Sequence, residues 1–246
     1  MKNSSNDPIE HGHTRAEIDA RISRAGKSQS LLRDFVYGSV DGTITTFAII
    51  SGVAGAGLPQ GVIVTLGIAN VLADGFSMAA SDYLGTRSEA QNHRLITATE
   101  HHHIDHYPEG EVAELRQILR GHGLEGSDLN SATSIITRYR PLWINLMLSG
   151  EYALAPIEPR PLIAASATFL AFVCCGAIPL LPFLIGTGSP YIISALATAL
   201  TFLAIGALKS RWSTESWLKS ALQTLLVGGT AATIAYAAGS FVAGTA

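Results

Sequence analysis

Apolar residues gather in two blocks separated by a polar one. Within each block the runs reach the length that a bilayer core about 30 Å thick demands of a helix. Five runs are predicted to be helical: about Phe35 to Leu58, Val62 to Leu84, Leu162 to Ile185, Tyr191 to Leu208 and Leu218 to Ala243. A Pro-Gln-Gly turn, Pro59 to Gly61, joins the first two into a hairpin. Gly188 to Pro190 separates the third run from the fourth, and the polar stretch Lys209 to Glu215 separates the fourth from the fifth.

The polar block, residues 86–160, is too long for a loop and has helical periodicity of its own. Its first helix is predicted to continue the second run through about His106. Pro108 then opens another, with Glu109 and Glu111 in its first turn, and Gly121 to Gly126 ends it. Leu129 to Tyr139 and Pro141 to Ala155 follow as two more helices, the last with Trp143, Leu146, Met147 and Leu154 on its apolar faces. The chain thus divides into a polar N-terminal segment 1–34 with an amphipathic stretch near Arg15 to Arg24, a hairpin 35–85, a helical domain 86–160, and a second apolar block 161–246.

Composition agrees with this pattern. The chain is 48% hydrophobic and 14% charged, with a mean hydropathy of +0.30, on the membrane side of the averages for soluble domains. The fold class expected is an all-α membrane protein: five transmembrane helices, with a helical domain inserted between helices 2 and 3. A net charge of −3 gives no sign of nucleic-acid binding. The two cysteines, Cys174 and Cys175, are adjacent in an apolar run, so they offer neither a disulfide framework nor a metal knuckle. The polar first thirty-odd residues lack the apolar core of a cleavable signal peptide, so none is expected.

Basic residues fix an orientation, because cytoplasmic loops collect Lys and Arg. Of the sixteen, six precede the first run, seven fall in the polar block, and three (Lys209, Arg211 and Lys219) lie between the fourth run and the first turn of the fifth. The N-terminus, the helical domain and the 209–219 loop are therefore expected in the cytoplasm, with the C-terminus on the opposite side.

The apolar runs contain acids, and an acid at mid-bilayer costs about 3 kcal/mol on insertion scales unless it faces a partner or water. Asp41, Asp74 and Asp82 are those acids. At 1.5 Å per residue, Asp41 and Met78 both lie roughly 9 Å from the cytoplasmic ends of their runs, with Asp74 about one turn deeper. A hard oxygen and a soft sulfur at one depth suit a borderline divalent transition ion better than Mg²⁺ or Ca²⁺. Asp41, Met78 and Asp74 are thus the expected pathway residues. Asp82, near the interface, has structural hydrogen bonding as its simpler reading, and Met78 alone could be packing.

Residues 99–106, T-E-H-H-H-I-D-H, hold four of the chain's eight histidines. Residues three or four apart share a helix face, which pairs Glu100 with His103, Glu111 with Glu114, Met147 with Glu151, and His102 with His106. Three helices each offering such a pair can pack around a carboxylate-rich metal site, as di-metal carboxylate bundles do. His102 and His106 have the spacing that lets two imidazoles hold one ion, with an inert surface patch as the alternative reading of the histidine run.

The stretch R-D-F-V-Y-G-S-V-D-G-T-I-T-T-F-A at 33–48, G-I-A-N-V-L-A-D-G-F-S-M-A-A-S-D-Y-L-G-T at 67–86 and P-L-W-I-N-L-M-L-S-G-E-Y-A-L at 141–154 resemble the vacuolar iron transporter family, and the similarity extends over nearly the whole chain. The resemblance implies a homodimeric Fe²⁺/H⁺ antiporter whose first span lines the pathway at the dimer interface. It carries translocation roles to Asp41 and Met78, and metal-binding roles to Glu100, Glu111, Glu114, Met147 and Glu151. Three departures stand out. His103 replaces a second glutamate, Leu148 follows Met147 where the family has a Met pair, and Gly67 to Val71 lacks an acid that some members carry. An imidazole in place of a carboxylate softens the site, favouring Fe²⁺ or Zn²⁺ over Mn²⁺, and weakens binding as pH falls toward the His pKa near 6.5.

The function expected is export of Fe²⁺, with Mn²⁺ or Zn²⁺ as further ions, from the cytosol in exchange for protons. The membrane would be the plasma membrane in a bacterium or the vacuolar membrane in a eukaryote. Two rivals remain: a membrane-anchored metal sensor or storage protein, and a ferritin-like oxidase. An oxidase would want two Glu-x-x-His motifs, and only Glu100 to His103 qualifies.

Overall fold

The computed structural model describes residues 14–25, 31–155, 159–210 and 214–245, whose regular structure is all helical, with no strand among them. The helices are α1 (Arg15–Ala25), α2 (Leu32–Gly55), α3 (Gln60–His106), α4 (Pro108–Gly121), α5 (Gly126–Ile136), α6 (Arg140–Gly150), α7 (Pro161–Ala177), α8 (Leu181–Ile185), α9 (Pro190–Lys209) and α10 (Trp217–Thr245), with a 3₁₀ turn at Ile178–Leu180. They form two compact units, residues 31–88 with 160–246 and residues 1–30 with 89–159.

In the apolar unit, four helical stretches among the described residues are long and apolar enough to cross a membrane: α3, Pro161–Ile185, α9 and α10. α2, the fifth predicted span, has 24 residues but carries Arg33, Asp34 and Asp41 among Gly, Ser and Thr, and it falls short of the others in apolarity. Its surroundings explain why it can be polar: it packs against α7, α10 and α9. Buried hydroxyls on it bond back to their own helix, Ser39 to the Phe35 carbonyl and Thr43 to the Ser39 carbonyl, each at 2.7 Å. The outer faces are apolar, with Phe76, Leu170, Leu200, Leu226 and Phe241 all exposed.

Close backbone approach sets the α2–α7 contact. A methyl group added at Gly38 would run into the Thr168 carbonyl, and one at Gly42 into the Phe172 carbonyl. Glycine is needed there for proximity rather than for backbone freedom.

The third predicted run, Leu162 to Ile185, is not one uninterrupted α-helix. Pro179 and Pro182 lack the N–H groups that would reach back four residues, so the chain tightens into the 3₁₀ turn between α7 and α8. There the Ile178 and Leu181 amides bond three residues back, to the Cys175 and Ile178 carbonyls. The Ser194 hydroxyl of α9 donates to the Pro179 carbonyl at 2.8 Å. Gly186, at φ +73°, then ends α8 in the left-handed region.

In the polar unit, α4, α5 and α6 close over an apolar core of Leu115, Leu119, Leu129, Ile136, Trp143 and Met147, with Ile104 of α3 packed against it. α4 runs from Pro108 to Gly121 as the sequence predicts. α5 starts three residues earlier than Leu129, at Gly126, and ends at Ile136 rather than Tyr139. α6 stops at Gly150 instead of running to Ala155. The chain leaves the helix through Ala153, held at φ +54°, and the Leu154 amide bonds the Leu148 carbonyl.

Candidate metal sites

Two groups of residues matter, one in each unit. In the polar unit, Glu100 sits on α3 with none of its surface exposed, and Glu111 opens α4 at 4% exposure. Burying a carboxylate without full compensation is expensive. Here the compensation is incomplete: among the described residues, no group is placed to close a hydrogen bond to either Glu100 oxygen or to Glu111 Oε2. The other Glu111 oxygen meets His103 Nδ1 at 3.3 Å.

The protonation equilibria record this crowding. Burial, and then the charges of Glu100 and Glu114, push the Glu111 carboxyl up to about 7, against a smaller opposing pull from His103. Burial raises Glu100 as well, with the Tyr152 hydroxyl counteracting and the Glu151 charge adding to the rise. Burial and the negative charge of Glu100 push the Tyr152 hydroxyl upward in turn. The predicted residues Glu100, His103, Glu111, Glu114 and Glu151 therefore share one electrostatic neighbourhood.

Their exposures differ, however: Glu114 and Glu151 are exposed, and His103 is half-buried. Met147 is fully buried within the apolar core, where packing accounts for it. Among the described residues, no group of three or more His, Cys, Asp and Glu side chains stands ready-made for a metal ion.

The histidine run divides by helix face. His103 turns to Glu111. His102 and His106 are exposed and stacked with ring centroids 4.0 Å apart, and His106 Nδ1 lies 2.8 Å from the His102 carbonyl. His101 belongs to a clasp between α3 and α6. Arg140 donates to His101 Nδ1 at 3.0 Å, to the His101 carbonyl at 2.6 Å and to Asp105 at 2.5 Å.

In the apolar unit, Asp41 and Met78 line the same cavity of about 620 Å³, as their matched depth in the sequence predicts. Val36, Val40 and Ile44 of α2 and Ile205 of α9 form apolar wall, and Tyr37, Lys209, Gln223 and Thr224 supply its other polar groups. Asp74 is not in that lining. It is exposed on α3, though near enough for its charge to act on Asp41. Asp82 has the structural role that its position suggested: it accepts from the Thr168 hydroxyl at 2.8 Å and lies 3.9 Å from Arg33.

Sequence reasoning missed three residues here. Tyr152 carries no metal-site signature, and it meets the acids only because the chain turns after Gly150. Asp34 is 2% exposed beside Arg33 at the start of α2, a position read as part of a polar tail. Asn70 donates to Thr45 at 3.5 Å and continues the four-residue spacing of Asp74, Met78 and Asp82 along α3, a periodicity that could have revealed it.

Helices long and apolar enough to cross a membrane, with an acid and a thioether lining one cavity among them, define a polytopic membrane protein. The VIT family model matches residues 32–240, and the chain belongs to that family. It is 32% identical over 210 residues to "Vacuolar iron transporter 1" of Tulipa gesneriana, covering 84% of this chain and 85% of the relative. It is 31% identical over 208 residues to "Vacuolar iron transporter" of Centaurea cyanus, covering 83% and 85%. With "Vacuolar iron transporter 1" of Oryza sativa subsp. japonica it is 30% identical over 212 residues, covering 85% and 84%.

Proposed function

We propose that this protein carries Fe²⁺ out of the cytosol in exchange for protons, with Asp41 and Met78 forming the membrane station. The observation that carries this reading is their shared cavity in a chain whose relatives are named iron transporters. Asp74, one helical turn from Met78, modulates the charge at that station. In this reading α2 is the fifth span, shielded from lipid by α7, α9 and α10. The protein works as a homodimer, with its N-terminus and polar unit in the cytoplasm and its C-terminus opposite.

The exchange follows from the chemistry of a carboxylate, which binds a metal ion or a proton but not both at full strength. A single acid can therefore couple the two fluxes in opposite directions. In the polar unit, Glu100, His103, Glu111, Glu114 and Glu151 collect the ion, Met147 lies in the packed core beneath them, and His102 and His106 offer a second, exposed pair. An ion arriving at Glu111 displaces a proton, so collection weakens as pH falls below about 7.

The mixed carboxylate and imidazole set favours Fe²⁺, with Zn²⁺ and Mn²⁺ as competitors. Bound Fe²⁺ is cargo rather than a catalytic cofactor, and relatives named as transporters support a non-enzymatic role. The sensor or storage alternative leaves the Asp41 cavity without a purpose.

Reconstituted protein should take up Fe²⁺ into proteoliposomes faster when a proton gradient opposes the metal flux, and more slowly with Mn²⁺ or Zn²⁺. Tight metal binding without flux of any ion would replace transport with the sensor reading.

A further inference from the structure

On the outer face of the apolar unit, two adjoining cavities of about 360 and 420 Å³ share Phe76, Ala79, Leu162 and Ala165. They form a groove between α3 and α7. Its α3 side runs from Phe76 through Ala79 and Ala80 to Tyr83 and Leu84, about 12 Å at roughly 1.5 Å per residue. The alanines leave the floor low, Phe76 and Phe169 wall it, and Ser166 and the Tyr83 hydroxyl are its few polar groups.

At the Tyr83 end, one helical turn further on, the Arg87 guanidinium carbon lies 5.9 Å from the Tyr83 ring centroid, and Nη1 donates to the Tyr83 hydroxyl at 3.4 Å. The neighbouring acid does not neutralise it, because Asp82 is engaged by Thr168 and Arg33. α7 begins at the same end, with Pro161 in its first turn and no side-chain cap on its N-terminus. The positive end of the α7 dipole therefore lies beside Leu162, itself a groove residue.

The geometry points to a binding site for an anionic phospholipid, its acyl chain lying in the α3–α7 groove and its phosphate held by Arg87 and the α7 N-terminus. An apolar trough with a cationic mouth matches such a lipid at both ends, whereas a zwitterionic headgroup brings its own positive charge to Arg87. The site requires only that this unit lie in a bilayer, and it is independent of which ion the protein moves.

The test is native mass spectrometry of the full-length protein in detergent, titrated with phosphatidylglycerol and with phosphatidylcholine. Phosphatidylglycerol should bind about fivefold more tightly, the weight of one basic residue near a membrane surface. Arg87→Gln should remove that preference, Arg87→Lys should keep most of it, and Ala165→Phe should weaken both lipids by filling the groove. Equal affinities in the unmodified protein, or a preference that survives Arg87→Gln, would overturn the site. A photo-crosslinking residue at position 79 gives an independent readout: capture of lipid supports the proposal, and capture of a second copy of the chain refutes it.

Discussion

The two acidic places in this protein differ in how their charge is compensated. Around Glu100 and Glu111 negative charge is crowded: two buried carboxylates stand with the exposed Glu114 and Glu151, and His103 and the Tyr152 hydroxyl act in partial opposition. In the cavity of the apolar unit, Asp41 is the one acid among the described lining residues; it shares the walls with a lysine, Lys209, and with Met78, and only Asp74, outside the lining, adds to its negative charge. A crowd of acids favours capture of a divalent ion, since each carboxylate relieves its neighbours when a cation arrives. A lone acid near a tethered cation holds an ion more loosely, and conduction requires binding weak enough for release. Under the proposed function, the comparison teaches that collection and passage call for opposite charge balances.

The sharpest way to break the comparison is to neutralise the proposed collecting site. Replacing both Glu100 and Glu111 by Ala should weaken Fe²⁺ binding to the full-length protein by about a hundredfold, measured by anaerobic calorimetry. Binding that survives would place collection elsewhere, with the His102 and His106 pair as the next site to remove.

Acidity gives the next largest effect. Because Glu111 titrates near 7 when folded, against an ordinary value of 4.5, Fe²⁺ affinity should fall by up to about tenfold per pH unit below 7. The stability of the metal-free polar unit should run the other way. Between pH 4.5 and 7 the folded unit holds a proton that the unfolded chain has released, so stability is fully present below 4.5 and declines as pH rises through 7. Thermal melts of the Glu111→Gln protein should lose that contribution to the pH dependence.

Packing of the membrane unit comes third. Gly42→Val should destabilise it by about 1–3 kcal/mol, because α7 cannot back away from the new side chain without unpacking, and melting in detergent measures this. Smallest of all is Arg140→Ala, which removes an exposed clasp. It should lower the melting temperature slightly and leave metal affinity unchanged, which would separate His101 from the collecting residues.

Much of this architecture was legible in the sequence because its signals are local. The length of α3, its end at His106 and the opening of α4 at Pro108 follow from periodicity and proline placement, and the shared cavity of Asp41 and Met78 follows from counting residues along two helices. Where signals compete, the sequence leaves local detail open. Hydropathy treats Leu162 to Ile185 as one run, yet two prolines redirect its hydrogen bonds. The i, i+4 rule makes Met147 a partner of Glu151, yet the apolar core claims Met147. Tyr152 and Asp34 were invisible because burial of a polar group is a tertiary property, decided by what packs over it.

The most direct test of the account is Fe²⁺ uptake by proteoliposomes under a proton gradient, comparing the unmodified protein with Asp41→Asn and Glu111→Ala. The account predicts gradient-driven uptake by the unmodified protein, no uptake by a folded Asp41→Asn protein, and a reduced rate at low Fe²⁺ that recovers at high Fe²⁺ for Glu111→Ala. Uptake by Asp41→Asn at the normal rate would contradict it.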